Sequence, residues 1–311
     1  LLSVRGMGAA LTAFAGLIII YIAFGLINPT VFSGRNIVNL TRSMSKYLII
    51  GIGQSYLLIT GNIDLSIGSV VGMSAMISGT LMSGGMHPIP AILVTLVACL
   101  LVGVLNGMLV GKFQLPPFIA TLGMMKILRS VTQQVMQTAA VKVPSSFLAI
   151  SNTKIGGEVI LPILYWLVAA VILHIVSRYT PFGRHVYAVG SNERTARLSG
   201  VNVERVKGLI YVLMGALVAV TAVIQVSRIG SMDYANAGSG YEMDAIAAVV
   251  VGGTSMSGGR GSILGTVLGM LIIAVMNNLL NLMGVPPFLR EAFKGFIVIA
   301  AVLLQKKEAA A

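Results

Sequence analysis

The feature that most constrains this chain is a succession of apolar runs, each nearly free of charge. A helix rises 1.5 Å per residue, so about twenty apolar residues cover the hydrocarbon of a bilayer. Such runs recur from residues 7–27 to residues 292–305, and only 10% of the chain is charged. Soluble domains carry roughly a quarter. The expectation is an all-α, polytopic integral membrane protein. The net charge of +12 raises the question of nucleic acid, but the basic residues are spread between apolar runs and form no single patch. That distribution fits cytoplasmic loops with an excess of Lys and Arg, in a lipid bilayer and without a nucleic-acid partner. Cys99 is the single cysteine and lies inside an apolar run, so neither a disulfide framework nor a Cys-based metal site is expected.

Ten runs are read as about ten transmembrane helices: 7–27, 47–60, a third that follows the break GNIDLSIGS and continues to Gly84, 91–111, 117–135, 161–176, 208–226, 243–252, 262–282 and 292–305. The first is long, lacks a small-residue cleavage site and precedes further spans, so it is not expected to be a cleaved signal peptide. Residues 28–46 are polar and are expected to form a short helix lying at the interface. The 36 glycines and 17 methionines suit closely packed helices.

One polar interruption divides the chain. Residues 178–207 carry Arg178, Arg184, Arg194, Arg197, Arg205 and Lys207 against Glu193 and Glu204. They separate halves of about 1–177 and 208–311 within a single transmembrane domain of residues 1–311. The positive-inside bias places this loop and the Lys306-Lys307 tail in the cytoplasm, with both termini cytoplasmic and Lys112 and Arg260 also inside. Arg35, Arg42 and Lys46 then fall outside, against the rule. The halves carry a weak repeat: VLNGMLVGKFQLPPFI from Val104 resembles VMNNLLNLMGVPPFL from Val275, each with Asn in an apolar helix before a Pro-Pro-Phe turn. One turn is cytoplasmic and the other external in this topology, so the halves read as inverted repeats. Gly103-Gly107-Gly111 and Gly261-Gly265-Gly269 read as helix-packing faces.

No catalytic or metal constellation is legible, and no G-x-x-x-x-G-K-[ST] phosphate loop is present. The chain is therefore not expected to be an enzyme or to bind a cofactor. If transport is driven by ATP, another chain is the ATPase. Asp64 is the only acid before Lys154 and stands in the break 61–69. Two readings stand open: a cap of the third span, accepting N–H bonds near Ser66 and Ile67, or a substrate contact or ion site. Gln54, Asn106, Asn277, Asn278 and Asn281 lie within apolar runs. Amides pair with sugar hydroxyls but also join helices in lipid. Glu242 and Asp244 fit first-turn acids of the eighth span.

GNIDLSIGS, GRHVYAVGSNERTARLSGVNVERVK from Gly183, GYEMDAIAAVVVGGTSMSGGRGSILGTVLG from Gly240 and NNLLNLMGV from Asn277 together resemble the permease subunits of ABC importers for monosaccharides such as ribose, xylose and galactose. Asn62 stands where that family commonly has a second Gly. The resemblance implies a permease in the bacterial cytoplasmic (inner) membrane, paired with a second copy or a related permease. It also implies a cytoplasmic ABC ATPase that holds ATP and Mg, and a periplasmic or lipoprotein sugar-binding protein. It makes Ser191, Asn192, Glu193, Arg194, Ala196, Arg197, Leu198 and Gly200 the segment that couples to the ATPase. In that segment Ala196 and Leu198 supply apolar contact, and Arg194 and Arg197 ionic contact. Gly61, Ser66, Gly68, Gly252, Gly253, Gly258, Gly259 and Gly261 become motif positions of structural role. The competing readings are an ion-coupled secondary transporter working through Asp64 and a passive channel.

Overall fold

Proline at the first turn and Ser, Thr or Asn at the cap set most helix starts in this chain. Thr180 with Pro181, Asn202 and Ser262 each accept a backbone N–H three residues on, and Pro88, Pro117 and Pro287 open helices. The computed structural model describes residues 4–136, 141–155, 159–232 and 237–310. It contains α1 (Val4–Ile27), a 3-10 turn (Pro29–Phe32), α2 (Gly34–Ile59), α3 (Ile67–Ser83), α4 (Pro88–Gly107) extended by a π turn (Met108–Lys112), and α5 (Pro117–Met136). A short α6 (Ser145–Asn152) precedes α7 (Leu161–Tyr179), α8 (Pro181–Ser191), α9 (Glu193–Leu198) and α10 (Val203–Ile229). The chain continues through α11 (Tyr241–Val251), α12 (Ile263–Leu282) and α13 (Pro287–Ala310). Among the described residues, extended structure is confined to two antiparallel pairs of two-residue strands: β1 (Val141–Lys142) with β4 (Ser231–Met232), and β2 (Lys154–Ile155) with β3 (Val159–Ile160).

Each of the ten apolar runs falls on a helix of its own, so the fold is all-α as expected. Among the described residues, four helical stretches are long and apolar enough to cross a membrane by length and composition: Pro88–Lys112, Leu161–Tyr179, Val203–Ile229 and Ile263–Leu282. One expectation fails. Residues 28–46 make no separate interfacial helix, because after the turn at Pro29–Phe32 the Ser33 cap starts α2 and nothing breaks it before Ile59. Most of the polar patch is the first half of a helix that is buried continuously from Leu48 to Ile59.

At the centre lie α2 and α10, which pack on each other. Helix α10 also packs on α3 and α4, and α2 on α11 and α12; α3 meets α4 and α5, while α11 meets α12 and α13. Exchanging α2–α5 with α10–α13 therefore carries this packing onto itself. The α4–α10 contact uses the glycine stripe: a Cβ on Gly103 would lie 2.6 Å from the Tyr211 carbonyl oxygen, and one on Gly107 2.9 Å from Gly208 Cα. With no Cβ in the way, the backbones meet directly. Gly107→Leu should lower thermal stability in detergent by several degrees, since overpacking costs about 1–3 kcal/mol. Gly123→Leu, at an open helical position, should melt like the wild type.

Candidate functional site

Two polar features lie at opposite ends of α10, whose 27 residues separate them by about 40 Å at 1.5 Å per residue. At its C-terminal end is a cavity of about 700 Å³ lined by the start of α2, the ends of α10 and α12, and the start of α13. Asn36, Asn39, Ser43, Lys46 and Tyr47 face it from α2, Arg228 from α10, Asn277, Asn278 and Asn281 from α12, and Arg290, Glu291 and Lys294 from α13. The i, i+4 spacing puts Asn277 and Asn281 on one face, and Asn278 reaches across. Its Nδ2 donates to Asn36 Oδ1 at 2.8 Å, and Asn36 Nδ2 donates back to Asn278 Oδ1 at 3.0 Å. Arg290 Nη1 donates to Asn281 Oδ1 at 3.0 Å.

The cationic wall is held from behind. Lys46 Nζ donates to the Tyr241 hydroxyl at 2.7 Å and sits 4.6 Å from the ring centroids of both Tyr47 and Tyr241. Lys294 Nζ lies 2.7 Å from Asp244 Oδ1 and 2.8 Å from Glu291 Oε1. Glu242 and Asp244 stand in the first turn of α11 as expected, but Asp244 is also the buried partner of this pair. Neutral amides and hydroxyls with spare donors and acceptors, beside a fixed charged wall, suit a hydroxyl-rich ligand and discriminate by hydrogen-bond geometry. Sequence reasoning found the three asparagines of α12 and missed Asn36, Lys46, Tyr47, Tyr241 and Lys294. For Lys46, Tyr47, Tyr241 and Lys294 the one sequence signal was position, within a few residues of the end of an apolar run; Asn36 carried none.

Gln54, Asp64 and Asn106 do not line this cavity. Asp64 lies in the break between α2 and α3, only 4% exposed. Its Oδ1 accepts the Ser66 N–H at 2.7 Å and the Ser66 hydroxyl at 2.6 Å, and Asn106 Nδ2 donates to Ser66 Oγ at 3.0 Å. The Tyr211 hydroxyl donates to the Ile63 carbonyl at 2.9 Å, and the Leu65 N–H to Thr121 Oγ1 at 3.1 Å. The break is thus tied to α4, α5 and α10. The Asp64 carboxylate thus bonds Ser66, the residue that precedes α3, and the expected bond to Ile67 in the first turn of that helix is not formed. Gln54 is buried in α2 with neither amide atom partnered among the described residues. Asp64→Asn keeps an acceptor and should leave the melting temperature nearly unchanged. Asp64→Ala strands the Ser66 N–H, a cost of about 1–3 kcal/mol, and should melt several degrees lower.

The other end of α10 carries the polar interruption, which is two helices, α8 and α9. Asn192 caps α9: its Oδ1 accepts the Thr195 N–H at 2.9 Å. Gly200 takes φ +83°, and the Val201 N–H returns to the Ala196 carbonyl at 3.0 Å, closing α9. Arg194 and Leu198 are exposed, Leu198 to 82%. Ala196, expected beside Leu198 in an apolar docking contact, instead faces inward and is buried in the chain's own core, because it lies on the opposite side of a six-residue helix. Arg197 reaches Glu193 at 3.7 Å and Glu204 at 3.6 Å, and Lys207 reaches Glu193 at 2.7 Å.

The motif glycines mark close approaches. A Cβ on Gly68 would strike the Gly238 carbonyl, on Gly252 the Gly265 carbonyl, and on Gly261 the Thr254 side chain. Gly253 takes φ +85° after α11, and Gly61 takes φ +71° after α2. Gly258 and Gly259 meet α8.

The family model described as branched-chain amino acid transport system / permease component matches residues 36–302. The ribose import permease of Bacillus subtilis is 38% identical over 98% of this chain and 95% of its own length. The ribose import permease of Escherichia coli is 34% identical over 94% and 92% respectively, and the galactose/methyl galactoside import permease of Escherichia coli 34% identical over 89% and 88%. No solved structure matches significantly. With one family model covering most of its length and import permeases aligned nearly end to end, this multi-pass membrane protein belongs to the transport-system permease family.

Proposed function

We infer that this chain is the membrane permease subunit of an ATP-driven importer that passes a monosaccharide from an external binding protein into the cytoplasm by alternating access. The observation that carries the reading is the near full-length likeness to ribose and galactose import permeases. The amide-lined cavity is the proposed sugar vestibule on the outer side. Segment 191–200 is the proposed docking surface for a cytoplasmic ABC ATPase on the inner side, and ATP and Mg belong to that partner.

In this reading α1, α2, α3, α4, α5, α7, α10, α11, α12 and α13 cross the bacterial inner membrane, ten spans with both termini cytoplasmic. Helices α2–α5 and α10–α13 are inverted repeats. Three contacts support that: Asn36 near the start of α2 meets Asn278 near the end of α12, Gly107 near the end of α4 meets Gly208 near the start of α10, and the Thr221 hydroxyl near the end of α10 donates to the Lys46 carbonyl in α2. Corresponding helices then run in opposite directions. Arg35, Arg42 and Lys46 remain on the outer side, where Lys46 has a role in the vestibule wall that the positive-inside rule does not weigh. A periplasmic or lipoprotein sugar-binding protein docks over the vestibule, and a second permease copy, identical or related, completes the pathway.

The experiment is growth of a strain lacking this permease on single pentoses and hexoses and on branched-chain amino acids as nitrogen source. Loss of growth on one or more monosaccharides with amino-acid use intact is the expected result. Intact sugar growth with amino-acid use lost would overturn the reading.

A further inference from the structure

Helix α8 meets the rest of the protein in a joint made of backbone. Gly190, one residue before its end, lies so close to the end of α2 that a Cβ there would collide with the Ile59 carbonyl oxygen and stand 2.7 Å from the Gly259 nitrogen. That same Ile59 carbonyl accepts the Gly259 N–H at 2.8 Å. Gly258 and Gly259 hold φ of +85° and +73°, which L side chains rarely adopt, so the loop 252–262 can lie flat on α8. A Cβ on Gly258 would be 2.8 Å from the Gly190 carbonyl oxygen and 3.1 Å from the Gly61 nitrogen, and one on Gly259 2.9 Å from Ser191 Cα. Two side chains bolt the same corner. The Tyr187 hydroxyl donates to the Gly261 carbonyl at 2.9 Å, and Phe182 stacks on Tyr56 with centroids 6.3 Å apart.

Three segments therefore converge at one point: the helix leading into α9, the last residue of α2, and the loop leading into α12. Between Gly190, Gly258 and Ile59 backbone meets backbone directly, so that contact has little room to absorb a displacement by changing rotamers as an ordinary core contact can. The two membrane helices that leave this point, α2 and α12, meet again at their far ends, where Asn36 and Asn278 exchange hydrogen bonds across the vestibule. A tilt of α8 would act on both helices at once and reach that amide pair at the other end.

We propose that Gly190, Gly258 and Gly259, with the Ile59 carbonyl and Tyr187, form the transmission joint that carries motion from the ATPase-facing segment to the sugar vestibule. These are positioning residues; none touches the sugar. The proposal rests on the reading that segment 191–200 docks the ATPase, and the two are tested by different readouts.

The experiment uses the full permease assembled with its ATPase and binding protein in vesicles, with radiolabelled ribose as the probe. Three quantities are measured: ATPase retained on purification, ATP hydrolysed, and ribose taken up per ATP. Gly190→Ala should retain the ATPase but lower uptake per ATP by about fivefold or more, the lower end of ordinary coupling between sites. Tyr187→Phe, which removes one hydroxyl and should fold normally, should shift the same ratio in the same direction. Gly123→Ala, where nothing lies within 4 Å of the added Cβ, should match the wild type. A merely structural role would lower hydrolysis and uptake together, in proportion to complex recovered. Wild-type uptake per ATP in Tyr187→Phe, or in any Gly190→Ala complex that assembles, overturns the joint. An ATPase that stays bound to Leu198→Asp overturns the docking reading instead.

Discussion

Lys294→Ala should be among the most damaging single substitutions in the protein, with a loss of about 3–5 kcal/mol, because it leaves a buried carboxylate without its partner. Asp244 is 4% exposed and Lys294 12%, with 2.7 Å between their charged atoms. Glu291 does not compensate. It is an acid as well, and removing the ammonium leaves both carboxylates facing one vacated site. The destabilisation should be read by unfolding in detergent and partitioned by a double-mutant cycle with Asp244→Ala. The double variant should recover a large part of the loss, since deleting both charges removes the penalty that either deletion alone exposes. Lys294→Arg should be mild. If Lys294→Ala and the double variant are equally stable, the pair is not the fixed element of the vestibule wall described above.

The second large effect is expected at α9. Arg194 and Leu198 are exposed and have no partner within the chain among the described residues, so changing them should leave the fold intact. Hot-spot residues, among which Arg is enriched, cost about 2 kcal/mol or more when lost, about thirtyfold in affinity. The pair Arg194→Glu with Leu198→Asp replaces both by acids and should abolish copurification of the ATPase and ATP-dependent uptake, with an unchanged melting temperature. Arg197→Glu is a poorer probe, because it also breaks the contacts to Glu193 and Glu204 and drives a third acid between them. An intact complex in the double variant would place the ATPase contact elsewhere.

Most of the architecture was legible because lipid imposes a simple pattern. Apolar length alone located ten helices, and the breaks at 61–66 and 252–262 were marked by Gly and Ser. The Asn192 cap was legible because an Asn before a helix-forming stretch has a definite local partner, the N–H three residues on. Residues 28–46 misled because polarity was taken as a boundary, although polar residues facing a cavity continue a helix as well as apolar ones do. Ala196 was misplaced for a related reason: spacing shows that two residues are near each other on a short helix, but which side faces the core depends on how that helix packs against α10. The vestibule's charged wall was not legible at all. Lys46 and Tyr241 are 195 residues apart and Asp244 and Lys294 stand on different helices, so the chemistry exists only once α2, α11 and α13 are brought together.

The most direct test of the account as a whole is the energy source for uptake. The permease, its ATPase and its binding protein are placed in proteoliposomes, and entry of labelled ribose or galactose is followed with ATP alone or with a proton or sodium gradient alone. Uptake should require ATP and the ATPase, continue when every ion gradient is collapsed, and be absent from vesicles holding the permease by itself. Uptake by the permease alone under an ion gradient, lost in Asp64→Asn, would contradict it.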